Sequence, residues 1–286
     1  MNIIVGASGN VGSSLVKELS EKNLPVRAVV RNAEKVTEKG VDVRIADLFS
    51  SDQLIAAFDG GTSVFLITPE NPMSHDIIRE TKLITDNYKK AIQKTGIRKI
   101  VALSSGGAHV NGNTGNLLMS RILEQTCDDV DGEKIIIRPS YYYSNWLAYL
   151  EAIKQSNVLP TFFPEELKID MNSPIDVGKF IAGVMTSNTS SEDKKVFELA
   201  GPQKYSSSEV AQTFSKLLNK NIATQTMPRD QWRETLISVG FTENTASNLS
   251  DMTEAVINGT AVLENEDKAV RLKTTLYEYL AARLHQ

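Results

Sequence analysis

A doubly wound α/β fold, with a parallel sheet, helices on both faces and a smaller C-terminal α/β lobe, follows from three observations. The chain opens on a β-branched run, Ile3-Ile4-Val5, which reads as a buried strand. Glycines at 6, 9 and 12 follow, and then apolar residues at helical spacing, Val11, Leu15, Val16 and Leu19. Strand-like and helix-like stretches then alternate as far as Pro139, the pattern of repeated βαβ units.

The opening stretch, Gly6-Ala-Ser-Gly-Asn-Val-Gly12, has the geometry that binds a pyrophosphate. Glycine lets the backbone turn sharply and lets phosphate approach. The helix that follows offers unpaired N–H groups and the positive end of its dipole. Gly6, Ser8, Gly9, Asn10, Val11 and Gly12 are therefore the expected phosphate cradle of a Rossmann-type core. An ordinary βα turn that binds nothing would show the same glycines.

Residues 25–30 read as the second strand, ending at Arg31. In such folds the residue after the second strand meets the adenosine ribose, and a basic side chain there accommodates the 2′-phosphate of NADP. Arg31 and Lys35 thus predict NADP(H) as the preferred cofactor, with NAD(H) left open; solvated surface charge is the plainer reading. Residues 41–46 form the third strand, ending at Asp47-Leu48, a site for the adenine amino group and ring. Capping of the next helix, from residues 50–52 through Phe58, explains the same polar cluster.

Residues 62–69 read as the fourth strand, which places Thr68 and Pro69 beside the cofactor, because strand C-termini line the ligand crevice. Residues 71–74 are a loop expected to bend over it. A long helix carries Ile77, Ile84, Tyr88 and Ile92 and ends at Gly96. The fifth strand, residues 97–104, ends in Ser104-Ser105, whose hydroxyls suit a substrate oxygen or a turn. A helix at 117–126 and a sixth strand at 134–139 follow. Three tyrosines and a tryptophan, Tyr141, Tyr142, Tyr143 and Trp146, come next, either as a wall for a flat substrate or as packing between lobes.

Beyond Trp146 the alternation becomes irregular. Residues 1–150 therefore read as the NAD(P)-binding core, and 151–286 as a mixture of returning core elements and a smaller substrate-side lobe. That half shows a helix to residue 155, a proline-flanked apolar loop at 159–164, a helix at 174–185 and a strand at 195–201. A capped helix at 206–218, a short strand at 222–227 and helices at 228–239, 245–257 and 274–284 complete it.

The 286 residues carry a formal net charge of −4, which points away from nucleic acid and anionic membrane. The single cysteine, Cys127, fits a reducing compartment, and no stretch reads as a signal peptide or a membrane span. A cytoplasmic protein is expected. Cys127 reads as a small apolar residue rather than a redox sensor. His75, His109 and His285 lack metal-ligand spacing, and no Gly-x-Ser-x-Gly is present.

The Gly6–Gly12 turn, Arg31-Asn-Ala-Glu-Lys35, Asp47-Leu48, Ile137-Arg-Pro139 with its aromatic tail, Asp176-Val-Gly178 and Phe197-Glu-Leu-Ala-Gly201 resemble the NmrA-like atypical short-chain dehydrogenase/reductases. In layout the chain is similar to the NADPH-dependent quinone oxidoreductases of that group. The resemblance implies a Rossmann core, an NADP-preferring cleft and a small C-terminal lobe. Its members include quinone and azo reductases, and also regulators that bind the cofactor without turning it over. One departure matters: no tyrosine is followed at i+4 by lysine, so the Tyr-x-x-x-Lys proton-transfer pair is missing. Quinone reduction stays open, because its proton can come from water.

The expected function is thus hydride transfer from NADPH to a quinone-like or other flat electrophilic acceptor. Ser104, Ser105 and Tyr142 are the substrate-side candidates. The alternative is a non-catalytic NADP(H) sensor that signals to a protein partner. A small-molecule acceptor is the primary expected partner; a protein partner or a second copy of the chain is left open.

Overall fold

The computed structural model describes residues 1–187 and 194–284; His285 lies outside them. In chain order, the first half holds β1 (Asn2–Val5), α1 (Asn10–Glu21), β2 (Val26–Val30), β3 (Asp42–Ile45), α2 (Ser51–Phe58) and β4 (Ser63–Leu66). It continues with α3 (Ile77–Thr95), β5 (Lys99–Leu103), α4 (Leu117–Asp128), β6 (Glu133–Pro139) and β7 (Tyr141–Tyr142). The second half holds α5 (Leu150–Ser156), β8 (Val158–Thr161), β9 (Ile169–Asn172), α6 (Pro174–Thr186), β10 (Lys194–Ala200), β11 (Lys204–Tyr205) and α7 (Ser207–Leu218). It ends with β12 (Ala223–Thr226), α8 (Trp232–Ser238), α9 (Glu243–Ile257), β13 (Val270–Arg271) and α10 (Leu276–Leu284).

Eight strands form the main sheet in the order β13-β10-β6-β5-β4-β1-β2-β3. Every pairing in it is parallel. Parallel strands need crossovers, and the crossovers put helices on both faces, so the central strands are apolar throughout. β4 is buried at all of its positions. On one face, α2, α3 and α4 bury Leu54, Phe58, Tyr88, Ile92 and Leu123 against the sheet. On the other, α1 and α6 bury Leu15, Val16, Leu19, Val177 and Ile181. The strand order reverses between β1 and β4, and that switch point opens a crevice at the strands' carboxyl ends.

The second half is not an independent lobe. α6, β10 and β13 return to the main sheet, while the remainder builds a third core around Trp146, Phe163, Phe214 and Leu280. Two expectations change here. Residues 158–161 are a strand, β8, paired in parallel with β12, where the prolines suggested a loop. Pro160 is tolerated because a two-stranded sheet leaves each strand an unpaired side for a residue without an N–H. The loop at 71–74 does not bend over the crevice. It docks on the start of α9, where Thr242 N–H and Thr245 Oγ1 donate to Pro72 O at 3.0 and 2.6 Å, and Thr242 Oγ1 donates to Ser74 O. The capping box that starts α9 explains the match: its threonine hydroxyls are already gathered at one helix end.

Candidate active-site cleft

The turn after β1 is shaped by close backbone approach. Gly6 has φ +68°, and a Cβ there would lie 2.2 Å from Ile67 Cδ1. A Cβ on Gly12 would lie 2.2 Å from the Gly6 carbonyl oxygen. Only glycine fits either position, and the result is α1 set end-on to the carboxyl end of β1. Gly9 is the N-cap of α1 and supplies no side-chain cap. The first-turn amides of Asn10, Val11 and Gly12 are therefore left for an external acceptor. Ser8, Gly9 and Asn10 are exposed, whereas the Val11 side chain is buried in the core, so Val11 has only its backbone to offer a ligand. An uncapped helix end above a cradle that a single methyl would fill suits a phosphate.

Arg31 and Lys35 follow β2. Both are exposed and neither side chain makes an ion pair or hydrogen bond among the described residues. Arg27, on β2 itself, contrasts with them: it binds Asp42 at 2.7 Å and the carbonyls of Ala57 and Asp59. Arg31 is thus an uncommitted guanidinium just beyond the carboxyl end of β2. Asp47 is exposed after β3, and its Oδ1 accepts from Phe49 N at 3.0 Å. Ser50, not Asp47, caps α2. Leu48 is half-buried.

Across the switch point, Ile67 and Thr68 open into a cavity of about 390 Å³. Ser104, Ser105 and Tyr142 line the same cavity, so four of the expected residues come together there. Pro69 sits beside Thr68, half-buried and outside the lining. The glycine turn, Arg31, Lys35, Asp47 and Leu48 lie outside it as well and form a separate surface arm of the site. The two arms meet where Gly6 packs on Ile67. The small lobe closes the far side with Leu167, Ile169, Met252, Val256 and the segment 259–263.

The polar groups of the cavity are unequal. Ser104 is buried and donates to Glu124 Oε1 at 2.5 Å, so its proton is committed and only its lone pairs face a ligand. Arg138 grips the same carboxylate with two bonds of 2.8 Å and reaches Glu264 with a third of 2.7 Å. Burial alone would raise the Glu124 pKa, but the Arg138 and Ser104 hydrogen bonds outweigh it and hold the carboxyl below its ordinary value. Glu198 accepts the backbone N–H groups of Glu264 and Asn265, both at 2.7 Å. Glu124, Arg138 and Glu198 thereby hold Glu264 and Asn265 and so pin the end of the segment 259–263, a strap along the cavity wall. Sequence reasoning did not find this network, although Arg138 and Glu198 lie inside motifs that it quoted.

Ser105 makes only a local bond of 3.2 Å to Gly106 O. The Tyr142 hydroxyl is buried without a partner, and burial pushes its pKa far above the ordinary tyrosine value. An orphaned buried hydroxyl costs about 1–3 kcal/mol, which a ligand's hydrogen bond would recover. The aromatic cluster divides between its two readings. Tyr141 and Tyr142 line the cavity, while Tyr143 and Trp146 are buried in the small lobe's core. Cys127 is 1% exposed and its thiol is pushed up to about 12, so it is an inert core residue. Among the described residues, no group of three or more His, Cys, Asp or Glu could hold a metal ion, and no helix is long and apolar enough to cross a membrane.

Residues 6–140 match the model of a family described as NAD(P)H-binding. An NAD(P)H azoreductase of Xenophilus azovorans is 25% identical over 259 residues, covering 88% of this chain and 86% of that one. An NADPH-dependent quinone oxidoreductase of Escherichia coli, solved with NADPH, superposes with a TM-score of 0.79 at 22% identity over the full length of both chains. A triphenylmethane reductase of Citrobacter sp. superposes with a TM-score of 0.80 at 21% identity, covering 100% of this chain and 99% of that one.

Proposed function

We propose that this chain, whose residues 6–140 carry the NAD(P)H-binding family's segment, is an oxidoreductase that uses NADPH to reduce a flat electrophilic acceptor of the quinone or azo type. The observation that carries the reading is the join at the switch point. The phosphate-type turn at Gly6 packs on Ile67, and Ile67 opens into the apolar and aromatic cavity. A dinucleotide held at the turn would have Ile67 and the cavity next to it for its far ring. The named acceptors of the azoreductase and quinone oxidoreductase relatives support the acceptor class.

The residues divide the work. The amides of Asn10, Val11 and Gly12 hold the pyrophosphate, with Ser8 and Asn10 adding side-chain donors. Arg31, with Lys35, holds the 2′-phosphate, and Asp47 and Leu48 meet the adenine. When bound, NADPH supplies two electrons and a hydrogen. Thr68, Ser104 and Tyr142 would position the reacting ring, with Pro69 beside Thr68 outside the cavity wall, and Ser105 and Tyr142 would hold the acceptor's polar edge. The apolar walls and the strap at 259–263 exclude water. The missing Tyr-x-x-x-Lys pair favours one other reading, an NADP(H) sensor that turns nothing over.

The test is NADPH oxidation by the purified protein with a panel of quinones and azo compounds, with NADH alongside. The expected result is acceptor-dependent loss of nicotinamide absorbance, faster with NADPH. Tight NADPH binding with no turnover on any acceptor would transfer the case to the sensor.

A further inference from the structure

Reduction of a quinone or an azo bond consumes a proton as well as a hydride, and the chain lacks the tyrosine–lysine pair that would deliver the proton. Six titratable residues line the cavity: Glu70, Tyr141, Tyr142, Lys168, Asp170 and Lys204. Three of them are held in ion pairs. Lys168 is bound to Glu209 at 2.8 Å. Lys204 is bound to Asp170 and Glu266, and the Glu266 hydrogen bond raises its pKa. Asp170 is held by Arg271 at 2.5 Å as well as by Lys204. The Tyr142 phenol is raised by burial.

Tyr141 is raised too, by burial first and then by Tyr149 and the nearby charge of Glu70. Glu70 differs from all of these. Its carboxyl makes no ion pair or hydrogen bond among the described residues, and it lines the cavity two residues beyond Thr68, near enough for its charge to act on Tyr141. Its residue surface is exposed, which gives it a route to solvent, yet the protein around the carboxyl desolvates it enough to raise its pKa.

We propose that Glu70 is the general acid that protonates the acceptor, an assignment that rests on the reductase reading above. With a 1,4-quinone, uptake of one hydride from a dihydronicotinamide would leave one carbonyl oxygen as O–H and place the negative charge on the other. The Glu70 O–H bond breaks and its proton forms the second phenolic O–H. The bonding pair stays on the carboxylate. The cofactor is oxidised, the quinone becomes the hydroquinone, and Glu70 regains a proton from water at its exposed side. Activity through this group is present below its pKa and lost as pH rises through it.

The experiment compares wild type with Glu70→Gln on two acceptors. A naphthoquinone needs a proton. The triphenylmethane cation crystal violet accepts hydride at carbon and needs none. The expected result is a kcat for naphthoquinone lower by about 100-fold, with the alkaline fall of the pH profile abolished, and an unchanged kcat for crystal violet. In parallel, carboxyl-13C NMR of glutamate-labelled protein should show one carboxyl titrating above the ordinary 4.5 that disappears in Glu70→Gln. Equal naphthoquinone rates in the two proteins, equal losses on both acceptors, or a Glu70 carboxyl titrating at or below 4.5 would each overturn the assignment. If wild type oxidises NADPH with neither acceptor, the reductase reading itself falls and takes this role with it.

Discussion

Arg138 binds two carboxylates at once, the buried Glu124 and the half-exposed Glu264. Removing the guanidinium leaves Glu124 charged and unpaired beneath the cavity, which costs about 3–5 kcal/mol. Urea unfolding of Arg138→Met should show a loss of that size, and a loss under 1 kcal/mol would mean that water replaces the arginine there. The pH dependence follows from the same pair. Glu124 is held below 4.5 in the folded chain, so its stabilising contribution is present above the unfolded value and is lost as pH falls through the folded pKa. Glu124→Gln should therefore flatten the acid limb of stability against pH, measured by thermal melts between neutral and acid pH. This network was hard to read from sequence, because the ion pair joins a helix to a strand and no local spacing announces it.

Arg31 is the converse case, legible because its position after β2 is fixed by topology. It makes no competing ion pair, so nothing must break before it meets a phosphate. Arg31→Glu should weaken NADPH binding by about 1.5–3 kcal/mol, the worth of a hydrogen bond to a charged group, and leave NADH binding intact or better. Titration of nicotinamide fluorescence reads both, and equal losses for the two cofactors would remove the assignment.

At the scale of elements, the strand–glycine–helix opening is a demanding piece of local geometry. Gly12→Ala places a methyl against a backbone carbonyl, which cannot swing aside as a side chain can. The expected outcome is a stability loss of about 1–3 kcal/mol and a loss of NADPH affinity of at least about tenfold, read by chemical unfolding and fluorescence titration. A variant with wild-type affinity would show that the turn carries no phosphate.

The long helices were legible because each shows an apolar stripe and an end signal: Gly96 closes α3, and Ser206 with Glu209 opens α7 as a capping box. Several short strands beyond Pro139 were not, although β12 was. β9 carries Asp170 and Asn172, β11 and β13 have two residues each, and β8 contains Pro160. Such pieces form because the surrounding fold presents a partner strand, and no period can be measured over two to four residues. The loop at 71–74 was misplaced for a related reason: its partner, the capped start of α9, lies about 170 positions along the chain.

For the whole molecule, the parallel order β3-β2-β1-β4-β5-β6 follows from right-handed βαβ crossovers, and it sets the crevice between β1 and β4 before any side chain is considered. The surface arm at the glycine turn and Arg31 was readable from that rule. The cavity arm was readable only on its sheet side, at Thr68, Ser104, Ser105 and Tyr142. Its other wall, from α9 and the strap at 259–263, comes from a part of the chain whose sequence carries no chemical motif. The account therefore stands on whether a ring held in that cavity gives up hydrogen. The measurement that decides it is a single turnover: protein loaded with NADPH is mixed with a naphthoquinone and followed by nicotinamide absorbance, using cofactor with and without deuterium at C4. The account predicts one equivalent of NADPH oxidised, slowed by deuterium on one face of the ring. Stoichiometric binding with absorbance unchanged after mixing would contradict it.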